Sequence, residues 1–158
     1  AENVEAIFAD YDLIIDGSDN FPTRYLVNDA CIKLGLPNIY GAVQGFEGQV
    51  SVFAANGQPC YRCLFAEPPP PELAPSCSQA GVLGVVPGII GLLQALEAIK
   101  IITGIGEPLI GRLLLFDGRT SRLREVRPQA DPNCAYCAPG QTFPGYADYQ
   151  HFCQSAKE

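Results

Sequence analysis

The sequence predicts an α/β domain built on a mixed sheet, and three observations carry that expectation. A short apolar strand signal, a capped helix and a second strand signal follow one another between Tyr11 and Val43. A long apolar helical stretch from about Val82 to Thr103 supplies a second helical layer. Two CxxC pairs, Cys60/Cys63 and Cys134/Cys137, bracket that stretch and can tie distant parts of the chain together. Alternating strand and helix signals are what a sheet covered on both faces requires.

Composition narrows the function classes. At 158 residues, 47 % hydrophobic and 17 % charged, the chain can hold one ordinary core. The net charge of −7 argues against a nucleic-acid-binding face and against an anionic membrane surface as partner. Ala1-Glu2-Asn3-Val4-Glu5 is acidic and unlike a signal peptide, so the expectation is a cytoplasmic protein with reduced thiols.

Tyr11-Asp12-Leu13-Ile14-Ile15-Asp16 reads as a buried parallel strand ending in a carboxylate. Ser18, Asp19 and Asn20 offer caps and Pro22 suits a first turn, which predicts a helix from about residue 22 to Leu34, stopped by Gly35. Its apolar face should carry Tyr25, Leu26, Ala30 and Leu34. A second strand follows over Asn38–Val43, then a turn at Gly45-Phe46-Glu47-Gly48, then Gln49–Ala54, whose alternation predicts a half-exposed strand closed by Asn56-Gly57. Residues 64–80, with prolines at 68–71 and 75, read as a long irregular loop with an extended polyproline segment, which is a lid, a substrate-wrapping segment or a disordered connection.

The helix of residues 82–103 is expected to kink at Pro87, to end at Gly104 and to bury Val85, Ile89, Leu92, Leu93, Leu96 and Ile99. Gln94, Glu97 and Lys100 interrupt it, which favours a buried helix over a membrane span. A hairpin should follow over 111–117 and 121–126, with one wet face. The aromatic tail after Cys137 reads as a linker, with a terminal helix near 145–156 as the alternative.

Two CxxC pairs separated by seventy residues predict a closed, structural four-thiolate zinc cage at Cys60, Cys63, Cys134 and Cys137. A redox pair or two disulfides is the competing reading. Such a cage leaves no open position for water, so any chemistry belongs elsewhere. Cys31 falls on a helix face and reads as core, and Cys153 has no assignment.

Several motifs, in order, resemble the ThiF/MoeB/HesA family, bacterial relatives of ubiquitin-activating enzymes. They are Asp16-Gly17-Ser18-Asp19-Asn20 with Arg24, Gly48-Gln49-Val50, Cys60-Tyr61-Arg62-Cys63-Leu64, Cys77 with Ala80-Gly81-Val82, Gln94-Ala95-Leu96-Glu97-Ala98-Ile99-Lys100, and Cys134/Cys137. The likeness covers about residues 10–138 and is nearest the MoeB branch, including members with a C-terminal rhodanese domain. It implies the second half of a Rossmann-like adenylyltransferase fold over 1–138, with 139–158 a linker or tail toward an absent rhodanese domain. The family's glycine-rich nucleotide loop belongs to the first half, so the isolated chain is expected to be inactive.

The resemblance also implies an ATP-dependent adenylyltransferase acting on the C-terminal Gly-Gly of a ubiquitin-like sulfur carrier, for sulfur transfer in molybdopterin or thiamine biosynthesis. Asp19 matches the family's magnesium-binding aspartate and Asn20 its nucleotide-contacting neighbour, against a plain helix-cap role for Asp19. Arg24 lies where it could face the phosphates, against an ordinary surface role. Cys77 matches the position of a thiol that in some members accepts the carrier's tail as thioester or acyl-persulfide, and its setting before a helix favours the thiolate, against an inert cysteine in a loop, since adenylation itself needs no thiol. Family members commonly pair as homodimers. A non-catalytic zinc-stapled module that binds a ubiquitin-like protein or an active partner is the alternative reading, and a CxxC thiol oxidoreductase is a third.

Overall fold

The computed structural model describes residues 1–54, 57, 59–69 and 81–155, with the backbone alone at 152, 154 and 155. In chain order the elements are α1 (Val4–Phe8), β1 (Ile14–Asp16), α2 (Phe21–Leu34), β2 (Asn38–Gln44), β3 (Glu47–Phe53), α3 (Tyr61–Leu64), α4 (Val85–Thr103), β4 (Leu113–Asp117), β5 (Arg122–Val126) and α5 (Tyr149–Ser155).

Helix α2 forms where its caps dictate. The Asn20 side chain accepts from the Thr23 amide at 2.9 Å, Pro22 sits in the first turn, and Gly35 closes the helix at φ +69°. This helix is the crossover between the parallel strands β1 and β2. From β2 onward each pairing is antiparallel, and the spatial order β1-β2-β3-β4-β5 follows the sequence.

Two layers of helix enclose this mixed sheet. On one face Ile39, Val50 and Val52 pack against Val86, Ile90 and Ala98 of α4. On the other, Tyr25 of α2 meets Tyr40, Phe53, Tyr61, Leu113 and Tyr149. Each fully buried valine, isoleucine or phenylalanine among them contributes about 1.5–3 kcal/mol. Gly41 and Gly48 let α4 approach closely, because a Cβ at either would overlap Gln94 or Ile90.

Four expectations change. Strand β3 is not half-exposed: Val50, Ser51, Val52 and Phe53 are all buried, because β3 lies mid-sheet with helices over both faces and Ser51 Oγ donates to the Arg112 carbonyl at 2.8 Å. Pro87 lies in the first turn of α4, where no intrahelical donor is lost, rather than at a mid-helix kink.

The face of α4 is also reversed. Val86, Ile90, Gln94, Glu97 and Ala98 face the sheet, whereas of the six expected core positions Val85, Ile89, Leu92, Leu96 and Ile99 are 62, 37, 75, 47 and 57 % exposed and Leu93 alone packs against the core. A helix apolar on all sides gives periodicity nothing to choose between, and the polar groups chose: Gln94 Nε2 donates to the carbonyls of Asp16 and Ile39, and Glu97 accepts from the Leu109 amide. At 19 residues α4 is long and apolar enough to cross a membrane by length and composition. Finally, β5 is exposed on both faces over Arg122–Glu125, since it lies at the sheet edge. Asn56 and residues 70–80, including the later part of the proline-rich loop, lie outside the described residues.

Candidate functional site

The two cysteine pairs converge. The sulfurs of Cys60, Cys63, Cys134 and Cys137 all lie within 4.8 Å of one another, with Cys60–Cys63 at 3.9 Å, Cys60–Cys134 at 3.7 Å and Cys63–Cys137 at 3.3 Å. A tetrahedral ion with bonds of about 2.3 Å needs sulfur separations of about 3.8 Å, so the donor set fits a zinc-sized cation. Both pairs open on short turns, the Cys63 amide bonding the Cys60 carbonyl at 3.0 Å and the Ala138 amide the Cys134 carbonyl at 3.1 Å. The pairs meet each other rather than closing as separate disulfides.

Hydrogen bonding from Cys60, opposed by desolvation, holds the Cys137 thiol down at about 5. That bond and burial push Cys60 upward, and burial pushes Cys63 up to about 11. One thiolate is favoured and further ones repel it, so four thiolates together call for a cation among them.

The residues inside the two CxxC turns join this cage to α2. Arg62 donates from Nε and Nη2 to the two carboxylate oxygens of Asp29, both at 2.8 Å, and its guanidinium lies 4.1 Å from the Tyr136 ring centroid. Asp29 is fully buried and also accepts from Asn28 Nδ2 at 3.0 Å and from the Tyr149 hydroxyl at 2.9 Å. Asn28 in turn accepts the Tyr61 amide at 2.8 Å. Sequence reading passed over Asn28, Asp29 and Tyr149; an arginine between two cysteines and a tyrosine in the tail were the signals available.

The opposite end of α2 opens on a cavity of about 630 Å³. Asp19, Asn20 and Arg24 all line it, so the three positions singled out in sequence stand together at the C-terminal ends of β1 and β2, where open α/β sheets bind ligands. Tyr40, Gln49 and Phe65 complete much of its wall; Phe65 belongs to the proline-rich loop and Gln49 to the Gly48-Gln49-Val50 motif, whereas Tyr40 was not anticipated. The volume suits a small-molecule site. Arg24 is held rather than loose: Nη2 donates to the Ser18 carbonyl at 3.0 Å and Nη1 to the Tyr40 hydroxyl at 3.1 Å. That hydroxyl donates onward to Gln49 Oε1 at 3.4 Å, and burial raises the Tyr40 pKa.

Beneath this rim Asp16 Oδ1 accepts the Ser18 amide at 2.9 Å, fixing the turn that presents Asp19. Asp16 Oδ2 and Ser18 Oγ are buried without a hydrogen-bond partner among the described residues. The cap on α2 is Asn20, which leaves the exposed Asp19 carboxylate available to a hard cation. Cys31 is fully buried, its pKa pushed up to about 12 by desolvation, in keeping with a core role. Cys153 borders the cavity, and Cys77 lies outside the described residues.

Residues 1–136 match the model of the ThiF family. The chain is 49 % identical to the sulfur carrier protein adenylyltransferase of Thermus thermophilus, over 97 % of this chain and 58 % of that protein. It is 49 % identical to the adenylyltransferase and sulfurtransferase MOCS3-2 of Zea mays, over 97 % of this chain and 33 % of that protein. The chain thus spans little more than half, or a third, of the length of these relatives. The crystal structure of E. coli MccB shares the fold at a TM-score of 0.68 and 15 % identity, covering 92 % of this chain and 46 % of that one.

Proposed function

The chain belongs to the ThiF family, and from that premise we propose that it works within an ATP-dependent adenylyltransferase that activates the C-terminal Gly-Gly carboxylate of a ubiquitin-like sulfur carrier. One observation carries the reading: Asp19, Asn20 and Arg24 converge on one cavity at the sheet's C-terminal edge, in a chain 49 % identical to a sulfur carrier protein adenylyltransferase. The tail carboxylate attacks the α-phosphate of ATP, forming the acyl-phosphate bond and breaking the bond to pyrophosphate. Magnesium, when bound, neutralises phosphate charge.

The chain's own residues orient and hold. Asp19 offers a carboxylate to the metal, and Asn20 keeps α2 capped beside the nucleotide. Arg24, braced on Ser18 and Tyr40, sets a fixed positive charge at the rim. The four cysteines hold a structural zinc ion, which staples the tail region to the α3 turn and through Arg62 to α2. Cys77 is the proposed acceptor of the activated tail, in transfer toward molybdopterin or thiamine biosynthesis. Residues 139–158 connect to a further domain, and the complete protein works as a cytoplasmic homodimer.

Carrier-dependent exchange of labelled pyrophosphate into ATP by the complete protein tests this reading. Exchange should require the carrier's final glycine and fall when Asp19 is changed to Asn. Equal exchange with a carrier lacking that glycine, or none with any sulfur carrier, would sink it.

A further inference from the structure

The positive charge of this acidic chain is concentrated in one place. Of its ten lysines and arginines, five (Arg112, Arg119, Arg122, Arg124 and Arg127) fall within residues 112–127, which contain only two acids, Asp117 and Glu125. Arg112 and Arg127 are drawn to Glu125 at 3.0 and 3.8 Å, and Arg119 lies over the Phe46 ring. Arg122 and Arg124 are exposed and make no ion pair within 4.0 Å among the described residues.

The register shows which way these two point. Arg124 pairs with Leu115, Leu115 with Gln49 and Gln49 with Ala42; Arg122 pairs with Asp117, Asp117 with Glu47 and Glu47 with Gln44. Directly paired residues share a face, and Ala42, Gln44, Glu47 and Gln49 all line the cavity. The sheet face that floors the cavity therefore continues, across β4, to two guanidinium groups about 7 Å apart on the edge strand, neither in an ion pair among the described residues. Four strand spacings separate β5 from β1, about 19 Å, which an extended segment of about six residues spans.

We propose that Arg122 and Arg124 form the docking rim for an acidic globular partner whose extended carboxyl-terminal tail lies along this floor toward Asp19. The inference deepens the carrier reading above and rests on it. Charge complementarity selects the occupant: an acidic body seated on β5 is steered by the two arginines, while its tail crosses the sheet. Charged side chains on an edge strand also deter unwanted strand pairing, and the same residues with that role alone would leave carrier affinity untouched.

The test is steady-state pyrophosphate exchange by the complete protein with a sulfur carrier protein ending in Gly-Gly, comparing wild type, R122E/R124E and R122K/R124K. At low ionic strength R122E/R124E should raise KM for the intact carrier about tenfold or more, the gap closing as salt is added. R122K/R124K should restore it. A peptide of the carrier's last four residues should show the same KM in all three proteins, since at about 13 Å fully extended it stops short of the rim. An unchanged KM for the intact carrier, or an equal rise with the peptide, overturns the docking rim while the adenylation reading stands. No exchange by wild type overturns both.

Discussion

The two ends of α2 are built on opposite terms. In its second half every buried polar atom of Asn28 and Asp29 has a partner, and Asp29 alone receives Arg62, Asn28 and Tyr149. Just ahead of its first turn Asp19 stands exposed, and in the same loop Asp16 Oδ2 and Ser18 Oγ are buried with no partner among the described residues. A saturated network rigidifies, whereas a buried polar atom left unmet calls for a water, an ion or a ligand to supply the missing contact. One helix of fourteen residues thus joins a closed anchor to an open rim.

The comparison predicts stability losses at the anchor and activity losses at the rim. The largest effect should come from stripping the cage: Cys60→Ser with Cys134→Ser, or metal extraction by a strong chelator, removes binding worth on the order of 10 kcal/mol, and the cooperative thermal transition should disappear in circular dichroism. A preserved transition with no metal by elemental analysis would mean that the cage is not the anchor.

Next, Arg62→Ala leaves the Asp29 carboxylate buried without its cation and should cost about 3–5 kcal/mol, read as a lower midpoint in urea. At the rim, Asp19→Asn should lower pyrophosphate exchange about 100-fold, a loss of about 2.7 kcal/mol in transition-state stabilisation. Its unfolding midpoint should stay within about 0.5 kcal/mol of wild type, since the side chain is exposed. Equal losses of stability in Arg62→Ala and Asp19→Asn would dissolve the distinction between the two ends. The smallest effect should be Tyr149→Phe, about 1 kcal/mol in the same titration, because Asp29 keeps Arg62 and Asn28.

Legibility in sequence follows the same division in part. Both ends of α2 were readable from local chemistry, since Asn20, Pro22 and Gly35 act within a few residues of themselves. The cage was readable because metal geometry restricts cysteine spacing. The network around Asp29 was not: its partners lie 33 and 120 residues away, and neither an aspartate in a helix nor a tail tyrosine advertises a buried role. The orientation of α4 was hidden because apolar residues occupy every side, leaving Gln94 and Glu97 as the informative positions. These polar residues were read as breaks in an apolar run, yet they are what faces inward. Burial of β3 depended on β4 arriving from far along the chain, which alternation within β3 does not report.

That distant arrival has a kinetic meaning. The β2–β3 and β4–β5 pairings are local hairpins, whereas Ser51 meets Arg112 across 61 residues and Cys60 meets Cys134 across 74. Closing loops of that length costs chain entropy before any contact returns it, so the two hairpins can form on the microsecond scale while the centre of the sheet waits. The four-cysteine cluster, joining the same two halves of the chain, can close only once these distant segments have met, so capture of an ion by it would fall among the last steps of folding.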